Sequence, residues 1–106
     1  MKFRGKKTMN PLQSVVEKIA KHEEKTKDDI IKESLEAYLL SKKNEFLKEK
    51  FETLSKYNVS SAQELKNLIK KGKISDHPAW EDCIEAQNID SEINQINNDL
   101  RIVRKN

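Results

Sequence analysis

The sequence predicts an all-α fold of about four helices, drawn out as an elongated antiparallel hairpin in which a long second helix lies against the fourth. Three observations predict it. Only 2 Gly and 2 Pro occur in 106 residues, and these are the residues that most often interrupt helices. Apolar residues recur at spacings of three and four, the period of one helical face. Asn, Thr and Ser stand just ahead of the periodic runs, where a helix start needs a side-chain acceptor for its unpaired amides. Hydrophobic residues make up 35% and charged residues 37%, which is lean for a globular core and usual for long helices with one apolar stripe. A small domain buries a small share of its surface alone. A homodimer sharing the apolar faces of the first two helices is therefore expected.

Residues 1–9 read as a basic flexible arm or a short strand. Lys2, Arg4, Lys6 and Lys7 carry the charge with no acid among them. Only Phe3 and Thr8 favour a strand, and Gly5 interrupts it.

Residues 10–58 read as a helical dimerisation module. Its first helix runs from about Asn10 to His22, with Asn10 as N-cap and Pro11 at the first helical position. Leu12, Val15, Val16 and Ile19 share one face. Thr26 opens the second helix. Thr26-Lys27-Asp28-Asp29 has the spacing of a capping box, with Asp29 in the place of the usual Glu. Ile30, Ile31, Leu35, Tyr38 and Leu39 form a wide apolar face, and the pattern continues through Phe46, Leu47, Phe51 and Leu54. A weak point falls near residues 41–44. Asn58 suits the left-handed conformation that stops a helix.

Residues 59–106 hold a short third helix and an acidic fourth one, the expected partner-binding part. Ser61 with Glu64 starts the third helix, Leu65, Leu68 and Ile69 face inward, and Gly72 ends it. Asp76 or His77 caps the fourth helix, with Pro78 in its first turn. Ala79, Trp80 and Ile84 lie at its start. Ile89, Ile93, Ile96, Leu100 and Val103 then alternate steps of four and three, a heptad seam.

The net charge of +3 is unevenly spread. Residues 1–73 hold 18 Lys/Arg against 11 Asp/Glu, and residues 74–106 hold 3 against 7, with no Lys or Arg from Ile74 through Leu100. The front suits an anion and the back a cationic surface, or the two neutralise each other.

No catalytic, cofactor-binding or metal-binding constellation is visible, and a non-enzyme is expected. His22 and His77 are remote from each other, neither pairs with a Cys in ligand spacing, and two glycines cannot build a phosphate loop. The single Cys83 excludes an internal disulfide framework and fits a cytoplasmic protein. It sits near Trp80 and Ile84, as a packing residue would. No run of apolar residues is long enough for a membrane span, and MKFRGKKTMN lacks the apolar centre of a signal peptide.

The stretch IAKHEEKTKDDIIKESLEAYLL, Ile19 to Leu40, resembles the two helices of ribbon-helix-helix repressors and antitoxins. The likeness covers Leu12 to Leu40. It implies a helical dimer in which a strand near Lys2 to Thr8 reads DNA and the start of the second helix holds a phosphate. By that likeness Lys2, Arg4, Lys6, Lys7, Lys25, Thr26 and Lys27 are the phosphate contacts. The alternation expected of the strand is broken at Gly5. Residues 56–89, KYNVSSAQELKNLIKKGKISDHPAWEDCIEAQNI, are similar to the back half of small prokaryotic antitoxin-like proteins. This implies an acidic helix covering a small basic toxin, with Trp80, Ile84, Ile89, Ile93, Ile96 and Leu100 as contacts. Trp80 reads either as a hot-spot anchor or as a residue packed in the hinge against the third helix, and the Ile89–Val103 seam either as a toxin-binding face or as an intrachain or dimer core. The function expected is antitoxin-like neutralisation of a toxin, with DNA autoregulation as an added activity. The alternative is a structural or adaptor helical dimer without a nucleic-acid role.

Overall fold

A computed structural model describes residues 10–105, which form four helices and no strand. They are α1 (Pro11–Glu23), α2 (Lys27–Ser55), α3 (Ala62–Lys70) and α4 (Asp76–Lys105). The basic arm or strand expected at residues 1–9 lies outside the described residues. The molecule measures 72 × 31 × 20 Å, with a Cα radius of gyration of 21.6 Å. A compact chain of this length would have a radius of about 13 Å.

Caps set the helix starts as the sequence predicts. The Asn10 side chain accepts from Gln13 N at 2.9 Å. At α2 the capping box closes in both directions: Asp29 N donates to Thr26 Oγ1 at 3.0 Å, and Thr26 N donates to Asp29 Oδ2 at 3.2 Å. The bond from Thr26 N, and then the Thr26 side chain, hold the Asp29 carboxyl below its usual range. At α3 the pattern differs by one residue. Ser61 Oγ accepts from Glu64 N at 3.1 Å, but the Glu64 carboxylate reaches back to Ser60 N at 2.6 Å and not to Ser61 N.

The first three helices stop in one way. A left-handed residue follows each, and the two amides after the helix turn back onto its last carbonyls, as in a Schellman motif. Glu24, Asn58 and Gly72 are the left-handed residues, with φ of 59°, 57° and 72°. Lys25 N reaches Ala20 O, Val59 N reaches Leu54 O and Lys73 N reaches Leu68 O. Asn and Gly were legible as stops. Glu24 was not, because a charged side chain gives no hint of a positive φ.

α2 runs without a break from Lys27 to Ser55, so the expected weak point at residues 41–44 is absent. No Gly or Pro occurs in it, and i→i+4 bonding propagates unless a residue removes a donor or clashes. It packs against α4, and cross-helix contacts show the direction. Glu36 meets Arg104, Lys50 meets Asp90, and Lys56 meets Asp82. Advancing along one helix means retreating along the other, so the pair is antiparallel.

α3 lies in the bend and packs on α4. The core sits there: Leu54, Ala62, Leu65, Ala79, Cys83 and Ala86 are buried together, with Tyr57, Val59, Ile69 and Ile74 packed around them. The seam of α4 continues outward from this corner. Ile89, Ile96 and Leu100 are buried, and Ile93 and Val103 half-buried. Trp80 and Ile84, at the start of α4, lie off its buried stripe: Trp80 is 44% exposed and Ile84 41% exposed. Each follows a buried seam residue, Ala79 or Cys83, by one position, and one step along a helix is about 100° of rotation.

At the opposite end α1 lies against α2, with Ala20 and Ile30 buried at the turn. The rest of the apolar face of α1 is open except for the half-buried Val16. Leu12 is 78% exposed, and Val15 and Ile19 are also exposed, as are Ile31, Leu35 and Tyr38 on α2.

Candidate functional site

The residues singled out in sequence fall at three places. The first is the start of α2. Thr26 is occupied on both sides by Asp29, as its capping role requires. Lys25 Nζ pairs with Glu33 at 2.8 Å, and that bond raises the Lys25 pKa above its usual value. Lys27 Nζ pairs with Glu17 of α1 at 3.4 Å. An anion arriving here would meet cations that already have carboxylate partners, with Asp29 N already taken by Thr26 Oγ1 and Thr26 N by the Asp29 carboxylate. The other four expected phosphate contacts, Lys2, Arg4, Lys6 and Lys7, lie outside the described residues.

The second place is the α2–α4 seam. Ile89, Ile93, Ile96 and Leu100 face inward along it, so their apolar surface is covered by the chain itself. The polar rim of the seam is tied as well. Lys50 Nζ lies 2.6 Å from Asp90, and Arg104 Nε lies 2.5 Å from Glu36. Tyr57 donates its hydroxyl to Asp82, which also accepts from Lys56 at 3.3 Å. That bond to Asp82, with burial, pushes the Tyr57 pKa up to about 12. A phenol whose proton is held by a carboxylate resists losing it.

The third place is the outer face of α4 near the corner. Trp80 and Ile84 are one helical turn apart and about half-exposed. Glu81 and Glu85 lie beside them at the same spacing and are exposed. Ile69, Lys70, Asp76, His77, Trp80 and Glu81 border an open recess of about 430 Å³. His77 Nδ1 lies 2.8 Å from Glu81, which fixes one wall. His77 itself is extended, at φ −118° and ψ 127°. It therefore stands where an N-cap would, with Pro78 as the first helical residue.

Cys83, one step round the helix from Trp80 and Ile84, is fully buried. Its thiol donates to Ala62 O at 3.5 Å, so it packs α4 against the start of α3. Among the described residues no group of three or more His, Cys, Asp or Glu could hold a metal ion. No described helix is long and apolar enough to cross a membrane.

Sequence reading missed a fourth place. Lys43, Arg101, Arg104 and Lys105 border one recess between α2 and the end of α4. Their separation of about sixty positions hid this, and only the antiparallel pairing brings them together.

Residues 4–106 match the family described as Uncharacterized protein MJ0235 family, and the chain belongs to that family. No curated protein and no solved structure matches the chain.

Proposed function

We propose that this protein works by binding another protein through the outer face of α4, in the manner of an antitoxin covering a small basic toxin. The observation that carries this reading is the exposure of Trp80 and Ile84 on a stretch of α4 that holds no cation before Arg101. From Ile74 through Leu100 there are seven acids and no Lys or Arg. Some of those acids serve the fold, as Asp82 and Asp90 do. Glu81, Glu85 and Glu92 are on the exposed side. A large aromatic anchor with an acidic rim suits a cationic protein surface: the aromatic supplies contact energy, and the charges supply orientation and on-rate. The contact set is therefore narrower than the heptad seam, which is committed within the chain. DNA autoregulation is a further proposal of the ribbon-helix-helix likeness and falls on the basic residues ahead of Asn10.

The test is a pull-down with the tagged full chain in its native host, followed by mass spectrometry. The expected result is a stoichiometric small basic protein that is lost with Trp80→Ala and with Ile84→Ser. Both variants should melt like the parent by circular dichroism, because neither side chain is in the core. Retention of the partner by both variants would overturn the assignment of this face.

A second reading is an adaptor that works as a helical homodimer. The exposed Leu12, Val15, Ile19, Ile31 and Leu35 favour it, since short amphipathic helices derive most of their stability from covering such a face. Sedimentation equilibrium separates the two readings. A dimer dissociated by Ile19→Ser, with no second protein captured, supports the adaptor.

A further inference from the structure

The end of the hairpin opposite the corner carries a charge arrangement that the fold uses only in part. Lys43 of α2 and Arg101, Arg104 and Lys105 of α4 border one open recess of about 560 Å³, with Leu100 and Asn97 among its other lining residues. Arg104 has a carboxylate partner, Glu36, at 2.5 Å. Arg101 donates to the neutral Asn98 side chain. Among the described residues no carboxylate pairs with Lys43, Arg101 or Lys105.

Cations in the last turn of a helix are ordinary, because they offset the partial negative charge of its carbonyl end. That accounts for Arg104 and Lys105. It does not account for Lys43, which comes from the middle of the neighbouring helix and is half-buried. Nor does it account for the convergence. Like charges round one recess repel, and α4 has no other Lys or Arg.

We propose that this recess binds a compact anion with two or more negative charges, of the phosphate-ester or pyrophosphate type. Arg101 has no carboxylate partner among the described residues, and Arg104, whose Nε is held by Glu36, keeps its Nη donors; these planar donors match phosphate oxygens, and two ammonium groups add point charges. The buried Leu100 at the recess and the half-buried Asn97 give it an apolar and a hydrogen-bonding wall. Convergence also sets the size of the ligand. A nucleic-acid backbone is held by cations strung along a track, with many phosphates neutralised in series. Here four cations border one recess, and the helix leading up to them is acidic. The site is independent of the Trp80 face.

The experiment is isothermal titration of the full chain with sodium pyrophosphate against sodium chloride at matched ionic strength, with thermal unfolding alongside. The expected result is saturable one-to-one binding and a melting temperature that rises with pyrophosphate but not with chloride. The double variant Lys43→Gln/Arg101→Gln should bind at least about tenfold more weakly, since each lost charge-assisted hydrogen bond costs on the order of one decade. Lys21→Gln on α1, which removes a charge far from the recess in sequence and lining, should bind as the parent does. Both variants should melt within a few degrees of the parent without ligand, which separates lost binding from lost folding. Absence of saturable binding, or equal weakening by Lys21→Gln, overturns the proposal. A short single-stranded oligonucleotide supplies the last arm. Its displacement by pyrophosphate at the same residues supports a compact-anion site, and its binding without such competition overturns that assignment.

Discussion

At the corner of the hairpin, three helices meet around Leu65, which is fully buried; at the open end, α1 lies along α2 and Leu12 is 78% exposed. The side chains make the contrast sharper. Three of the buried corner residues are Ala62, Ala79 and Ala86, with Cys83 beside them. The exposed apolar residues of the open end are Leu, Val, Ile and Tyr. Burial here follows the number of helices that surround a position and not the size or hydropathy of the residue. Small side chains let α3 approach α4 closely, and close approach excludes water even from an alanine. A helix pair without a third element can cover only the seam between its members, and apolar residues off the seam stay wet.

The largest expected effect tests the packed side of this contrast. Leu65→Ala should cost about 2–5 kcal/mol, because the corner has no spare element to collapse into the cavity. Urea unfolding followed by circular dichroism measures it. A loss under about 1 kcal/mol would mean that the corner is as loosely packed as the open end, and the distinction would fail.

The next effects concern how the open end is held. Thr26→Ala removes the acceptor for Asp29 N and should cost about 1 kcal/mol, read from the same unfolding curves. Its cost should exceed that of any single exposed apolar residue nearby, since the local cap outweighs packing there. Glu24→Gly should stabilise by a few tenths of a kcal/mol. It relieves a left-handed non-glycine residue, but gives back part of the gain as added freedom of the unfolded chain. A melting temperature that falls with this substitution would show that the Glu24 side chain contributes a contact that outweighs its backbone cost.

Leu12→Ser should change the stability of dilute protein by less than about 0.5 kcal/mol, as surface substitutions do. Repeating the melt over a hundredfold range of protein concentration sharpens the comparison. A concentration-dependent melting temperature that the substitution abolishes would show that the open end is closed by a second copy.

The smallest effects are electrostatic. Asp29 has a depressed folded pKa, so its contribution is present above its unfolded value near 3.8 and is lost as pH falls. Tyr57 has a raised one, so its contribution is present below an unfolded value of 10.0 and lost as pH rises through about 12. Ultraviolet titration should show one tyrosine ionising near 12, and Asp82→Asn should bring it down. An unchanged titration would place the Tyr57 proton elsewhere than on Asp82.

Much of this fold was legible. The Asn10 and Thr26 caps, the left-handed Asn58, the Gly72 stop and the heptad from Ile89 to Val103 are local signals, because each depends on bonds made within a turn or two of the residue. The scarcity of glycine and proline is equally local in effect, and it made α2 long. The candidate sites were less legible. Of the residues expected to touch a partner, Trp80 and Ile84 remain exposed while Ile89, Ile93, Ile96 and Leu100 are covered. Their periodicity is the same whether the covering helix belongs to this chain or another.

The sequence by itself determined where the helices start and stop and which stripe of each is apolar, since hydrogen bonding and side-chain period act over three or four residues. Only the tertiary structure decided which stripes find a neighbour. It placed α3 over Leu54 and Cys83, left Ile31 and Leu35 open, and drew Lys43 beside Arg101 and Arg104. The physical reason is that an antiparallel pairing joins positions by distance from the bend and not by distance along the chain. Residues close in sequence can therefore differ in burial, and residues far apart can share a recess.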